Sequence, residues 1–160
     1  MARTIQFTEY GGPEVLRVVD APVPSAKAGQ VQVAVRAAGV NPVDSKIMQG
    51  FMREVMPLTL PAGLGSDLAG VVEQVGADVT TFHVGDHVMG SSLSPAMSEY
   101  ALADAANLIV KPAELSWEVA GSVAGAGGTA WSVLDRLQIR GGETLLVHAA
   151  AGGVGTFAVQ

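Results

Sequence analysis

The chain contains no cysteine. That absence excludes a disulfide framework, a thiolate zinc site and a cysteine nucleophile together, and it fits a reducing cytoplasm. Aromatic residues are scarce at 5% and charged residues at 15%, whereas hydrophobic residues make up 49% of the 160. Such a composition is too poor in charge for a disordered tail and rich enough in apolar groups for one or two compact domains. Positive charge is also short: 9 basic against 15 acidic side chains leave a formal net charge of −6, which argues against a nucleic-acid partner. Long hydrophobic runs are missing. Met1 to Ile5 leads to Glu9 without an unbroken apolar stretch, so no export signal is expected. The sixteen uncharged residues between Glu118 and Asp135 fall short of the roughly 20 that span a bilayer, and they are rich in glycine. They read as close-packed helix, with no membrane as partner.

Up to about residue 110, short apolar segments alternate with Gly, Pro, Asn and Asp, the pattern of an irregular β domain. Val31, Val33 and Val35 alternate with Gln32, Ala34 and Arg36, which places three valines on one face of a half-buried strand. Leu68 to Val75 is a second strand, Gly85-Asp86 a turn before His87-Val88-Met89, and Ser98 to Leu102 a further short strand. A small barrel or curled sheet over residues 1–112 is the expectation.

After Lys111-Pro112 the pattern changes. Ser116 can cap a helix starting at Trp117, Gly125-Ala126-Gly127-Gly128 is expected to interrupt it, and a second helix runs to about Gln138. Thr144 to His148 then reads as a continuous apolar strand, followed by a small, glycine-rich turn and a new helix from Thr156. Strand, glycine turn and helix open a βαβ unit in residues 113–160. Within the turn, Ala150, Gly152 and Gly155 occupy the three fixed positions of G-x-G-x-x-G, with Gly153 and Val154 between the last two. Glycine there lets backbone approach a pyrophosphate, whose charge meets the free N–H groups of the helix start. The same residues also suit a plain tight turn.

Asn41-Pro42-Val43-Asp44, the segment from Gly65 to Gly76 (Gly65-Ser66-Asp67-Leu68-Ala69-Gly70 onward), Gly85-Asp86-His87-Val88, Thr129-Ala130-Trp131 and the glycine turn follow one another along the whole chain. Together they resemble the zinc-independent, zeta-crystallin-like quinone oxidoreductases of the medium-chain dehydrogenase/reductase superfamily. The resemblance implies a mixed α/β chain: a GroES-like β-barrel domain, then the first strand and glycine turn of a truncated Rossmann domain. It also implies NADPH as cofactor, a small hydrophobic quinone or enone as substrate, and a homodimer as a possible assembly. Members resembling zinc alcohol dehydrogenases carry cysteine at the place of Asn41 or Pro42 and His-Glu at Ser66-Asp67. This chain has neither, so no metal is expected. His83 and His87 flank a turn and read as surface or strand residues, and His148 as packing at a strand end.

Without zinc, an oxygen that gains charge during hydride transfer needs donors or a cation, and Asn41 and Lys46 are the catalytic candidates. Asn41 also reads as a helix cap, with Pro42 in the first turn and Asp44 completing a capping box. Lys46 also reads as solvated surface. The pattern Asn-Pro-Val-Asp-x-Lys resembles that of enone-reducing relatives, which tilts the choice toward Lys46 polarising the substrate oxygen. The best-known bacterial quinone reductases of the family have tyrosine at Lys46 and Met52. Phe51, Met48, Met52 and Met56 could wall a flat substrate or line a core. Thr129 matches the family threonine at the nicotinamide end, or simply starts a helix. The cofactor set is therefore Asn41, Thr129, Ala150, Gly152, Gly153, Val154 and Gly155.

Superfamily members run to more than 300 residues, and the residue choosing NADP or NAD lies about 20 beyond the glycine turn. The 160-residue chain is thus expected to be inactive as an enzyme. The alternative is a noncatalytic GroES-like interaction or oligomerisation module.

Overall fold

The computed structural model describes residues 1–160. Eight strands form: β1 (Ala2–Phe7), β2 (Arg17–Ala21), β3 (Gln30–Ala38), β4 (Ala62–Gly63), β5 (Asp67–Val75), β6 (His87–Ser91), β7 (Tyr100–Asp104) and β8 (Leu108–Val110). Three helices accompany them: α1 (Pro42–Met48), α2 (Trp117–Leu137) and α3 (Gly153–Ala158).

The valine alternation of β3 is a consequence of sheet pleating: Val31 and Val33 are fully buried, and Val35 packs on the same cluster with Leu68, Val72 and Val88. Gln32, on the opposite face, is buried too, and its amide donates to the carbonyl of Pro24. All pairings are antiparallel, in the orders β2-β1-β4 and β7-β3-β5-β6-β8. The expected barrel is not closed. No ladder joins β7 to β8, and the two sheets meet through a single bridge between Thr4 and Ser98. The edge strand β8 has only three residues and stops before Pro112, which lacks an N–H to extend a ladder.

The expected break at residues 125–128 is absent, and α2 is one helix of 21 residues. Each interior glycine costs about 1 kcal/mol against alanine, but two of them let the helix lie directly on the sheet. A Cβ on Gly121 would sit 2.9 Å from both the Cβ and the carbonyl oxygen of Ala37, and one on Gly125 would sit 2.7 Å from Oδ2 of Asp67. Ala120 is buried against Ala69 of β5 and Met89 of β6. Close backbone approach thus offsets the propensity loss. Ser116 caps the helix as expected, accepting the Val119 N–H at 3.3 Å.

The expected strand at residues 144–148 does not form. Residues 143–147 are irregular and a turn follows, because an extended apolar segment becomes a strand only when a neighbour completes its ladder, and none lies beside it. The turn and the helix after it do form, with Gly152 as N-cap of α3.

Candidate functional site

Asn41 ends the connection from β3 in extended backbone and caps α1, with Pro42 at the first helical position. Asp44 reaches back so that one carboxylate oxygen accepts the Asn41 N–H at 2.7 Å and the other accepts the Gly65 N–H at 3.1 Å. The capping box read from the sequence is therefore present, and Asp44 is buried. The Asn41 side chain extends across to β5, where Nδ2 donates to Oδ2 of Asp67 at 2.9 Å.

Asp67 opens β5 at 1% exposure. Its Oδ2 also accepts the backbone N–H of Gly125 in α2 at 3.0 Å, and its Oδ1 accepts the Ser66 hydroxyl at 3.2 Å. One carboxylate thus ties α1, β5 and α2 together. Sequence reasoning noticed Asp67 only as a departure from a zinc site. The available signal was an acidic residue at the head of an otherwise apolar strand, facing glycines four apart in a helix.

Between these elements lies a cleft of about 370 Å³, bordered by Asn41, Ser66, Gly125, Thr129, Gly153 and Val154. Four of the residues expected at a cofactor, Asn41, Thr129, Gly153 and Val154, are brought together here from α1, α2 and α3. Thr129 does not start a helix but sits inside α2, where its hydroxyl donates to the Gly125 carbonyl at 2.6 Å. Gly152 and Gly155 line the neighbouring apolar hollow of about 330 Å³ beneath α2, and Ala150 lines neither.

The two glycines differ in what they need. A Cβ on Gly155 would fall 2.2 Å from the Ala149 carbonyl oxygen and 2.7 Å from Ala150 Cα, so glycine is required by the turn itself. A Cβ on Gly152 would come no nearer than 3.3 Å to that same oxygen. Glycine is therefore less strictly required at 152 than at 155, since only the Ala149 oxygen would have to give by a few tenths of an ångström.

Lys46 is not brought to the cleft. It stands exposed on the second turn of α1 and makes no salt bridge. Met48 is not a wall residue but core, packed with Phe7 and Leu64, while Phe51 and Met56 are exposed. His148, expected to pack at a strand end, is exposed at the rim of the apolar hollow. His83 is a surface residue, and the ring of His87 lies 4.8 Å from that of Trp117. No helix is long and apolar enough to cross a membrane.

Residues 27–134 match the alcohol dehydrogenase GroES-like domain. A quinone oxidoreductase of Pseudomonas aeruginosa is 42% identical over 162 residues, covering 100% of this chain and 49% of that protein. Among solved structures, the quinone oxidoreductase of Coxiella burnetii superposes with a TM-score of 0.92 at 38% identity, over 99% of this chain and 52% of its own. The Escherichia coli quinone oxidoreductase complexed with NADPH superposes with a TM-score of 0.88 at 36% identity, over 98% of this chain and 48% of its own. The chain spans about half the length of the relatives it matches.

Proposed function

We propose, since the chain belongs to the alcohol dehydrogenase GroES-like domain family, that it supplies the substrate side and the first cofactor contacts of a zinc-independent oxidoreductase reducing quinones or α,β-unsaturated carbonyls. The observation that carries this reading is the cleft gathering Asn41, Thr129, Gly153 and Val154 from three separate elements. NADPH, when bound, would supply the hydride. Asn41 and Thr129 would hold its nicotinamide end, and the Ala150–Gly155 turn its diphosphate. Lys46, exposed one turn along the helix that Asn41 caps and outside the lining of the cleft, would have to extend its flexible side chain over the cleft mouth to bring a cation to the substrate oxygen as it gains charge. A metal is not part of the proposal, because the donors are already committed: Asp67 accepts three hydrogen bonds and Asp44 serves the helix cap. On this reading the 160-residue chain binds NADPH weakly and turns over little or nothing.

Titration of NADPH fluorescence with the purified chain tests it. Gly152→Asp retains a favourable helix cap but sets a carboxylate against the diphosphate, so it is expected to weaken binding by about tenfold or more with an unchanged melting curve. No detectable NADPH binding by the parent chain, or equal binding by the variant, rejects the reading.

The second reading is a noncatalytic interaction or self-associating module. It is favoured by the apolar hollow beneath α2, near which Leu137, Leu146 and Val154 remain exposed. Light scattering across a concentration series separates the two: reversible association that leaves NADPH binding absent supports the module.

A further inference from the structure

We propose that Asp67 is a positioning residue that sets the hydrogen-bond polarity of the Asn41 side of the cleft, turning the Asn41 amide so that its oxygen is offered as an acceptor to the ligand. The proposal rests on the nicotinamide reading above.

Three donors converge on the Asp67 carboxylate: Nδ2 of Asn41 at 2.9 Å, the Gly125 N–H at 3.0 Å and the Ser66 hydroxyl at 3.2 Å. A carboxylate accepts and does not donate. The Asn41 amide must therefore present its nitrogen to Asp67, which turns Oδ1 toward Gly125, where a Cβ would lie 3.3 Å from that oxygen. Gly125 borders the cleft. A carbonyl oxygen has two lone pairs, so at least one stays free whatever Oδ1 contributes to capping α1. The packing leaves Asp67 no freedom to move away. It is 1% exposed, and a Cβ on Gly39 would lie 2.9 Å from its own Cβ.

The other polar side chains of the cleft obey the same rule. The Ser66 hydroxyl gives its proton to Asp67, and the Thr129 hydroxyl gives its proton to the Gly125 carbonyl at 2.6 Å. Asn41, Ser66 and Thr129, which all line the cleft, thus each commit a donor to the protein and keep acceptor lone pairs, with the second Nδ2 hydrogen of Asn41 left uncommitted. The matching ligand group is one that donates, such as a primary carboxamide. An isosteric methyl ketone, which only accepts, would leave those lone pairs unmatched.

The test compares binding of NADPH with that of its 3-acetylpyridine analogue, in which a methyl group replaces the amide NH2. The parent chain is expected to prefer NADPH by about tenfold or more. Asp67→Asn keeps an acceptor oxygen toward Asn41 and Gly125, and should keep the preference. Asp67→Ala frees the Asn41 amide to turn over, and should reduce the preference below about threefold. A purely structural role predicts loss of stability with the preference intact, and that result overturns the proposal. The side-chain amide of Asn41, followed by 15N NMR, is an independent readout that does not depend on the alanine variant folding. Slow exchange and a low-field proton in the parent and in Asp67→Asn support the proposal, whereas signals like those of a solvated asparagine overturn it. If the parent binds neither nucleotide, the nicotinamide reading falls and the ligand preference falls with it, and the Asn41 signals then decide only whether Asp67 fixes the orientation of that amide.

Discussion

Nζ of Lys111 stands 4.9 Å from the centroid of the Trp117 ring and donates to the carbonyls of Pro112 at 2.8 Å and Leu115 at 2.5 Å. The lysine is buried and has no carboxylate partner, so an aromatic face and two carbonyl dipoles hold its charge. His87 lies against the same ring, which fastens β6 and the end of β8 to the start of α2. Lys111→Met removes the cation and leaves both carbonyls without their donor. It is expected to lower the unfolding free energy by about 1–2 kcal/mol, read by urea denaturation. Stability equal to the parent chain would show that the stack carries no energy.

The start of α2 offers a second stability test. Ser116→Ala removes the acceptor of the Val119 N–H and is expected to cost about 1 kcal/mol, whereas Ser116→Asp, an equally good cap, should cost almost nothing. Equal losses in both variants would mean that the hydroxyl acts through something other than capping.

Gly155 and Gly152 should respond in opposite ways. Gly155→Ala places a methyl group 2.2 Å from the Ala149 oxygen and is expected to cost about 2 kcal/mol or more. Gly152→Ser, which supplies a standard N-cap, should leave stability within about 0.5 kcal/mol. Thermal unfolding of both variants checks the contrast, and similar melting temperatures would refute the assignment of Gly155 to turn packing.

Asn41 and Lys46 are expected to separate cofactor from substrate. Asn41→Ala should weaken NADPH binding by about tenfold, while Lys46→Ala should leave it within about twofold and weaken a 4-nitrophenolate probe by about fivefold. The phenolate stands for the negatively charged oxygen of a reduced quinone. Unchanged phenolate binding in Lys46→Ala would remove that residue from the proposal.

Arg3 and Glu99 make the clearest electrostatic prediction. The Arg3 backbone N–H donates to Glu99 at 2.8 Å, the guanidinium Nε at 2.8 Å, and Nη2 lies 2.7 Å away. The backbone N–H of Arg3 first, and its guanidinium next, hold the Glu99 carboxyl below its ordinary value of 4.5. A depressed folded value means that stabilisation is complete above about pH 4.5 and is lost as pH falls through the folded value. Both side chains are open to solvent, so salt should weaken the effect. Glu99→Gln should therefore lose its stability difference from the parent in acid, and a Glu99 NMR titration should show a lowered midpoint. An unshifted midpoint would contradict the pairing.

Local signals carried much of the fold. The alternation at Val31, Val33 and Val35, the Asn41-Pro42-Asp44 helix start and the Ser116 cap each depend on a few neighbouring side chains, and each forms as the sequence implies. Four of the expected cofactor residues, Asn41, Thr129, Gly153 and Val154, line one cleft, and they were expected from the family resemblance and the glycine spacing rather than from local signals alone. What failed involved distant partners. The glycines of α2 look like a break until β3 and β5 are seen pressed against Gly121 and Gly125, and residues 144–148 look like a strand until no neighbour is found to pair with them. Asp67 shows the same limit, because its meaning depends on Asn41, 26 residues before it, and Gly125, 58 residues after it. The sequence by itself determined local periodicity, caps and turn chemistry, which are set within a few residues by backbone sterics and short hydrogen bonds. Only the tertiary structure decided which ladders close, which glycines admit a neighbour and which way the Asn41 amide points, because each depends on atoms that folding brings together from far along the chain.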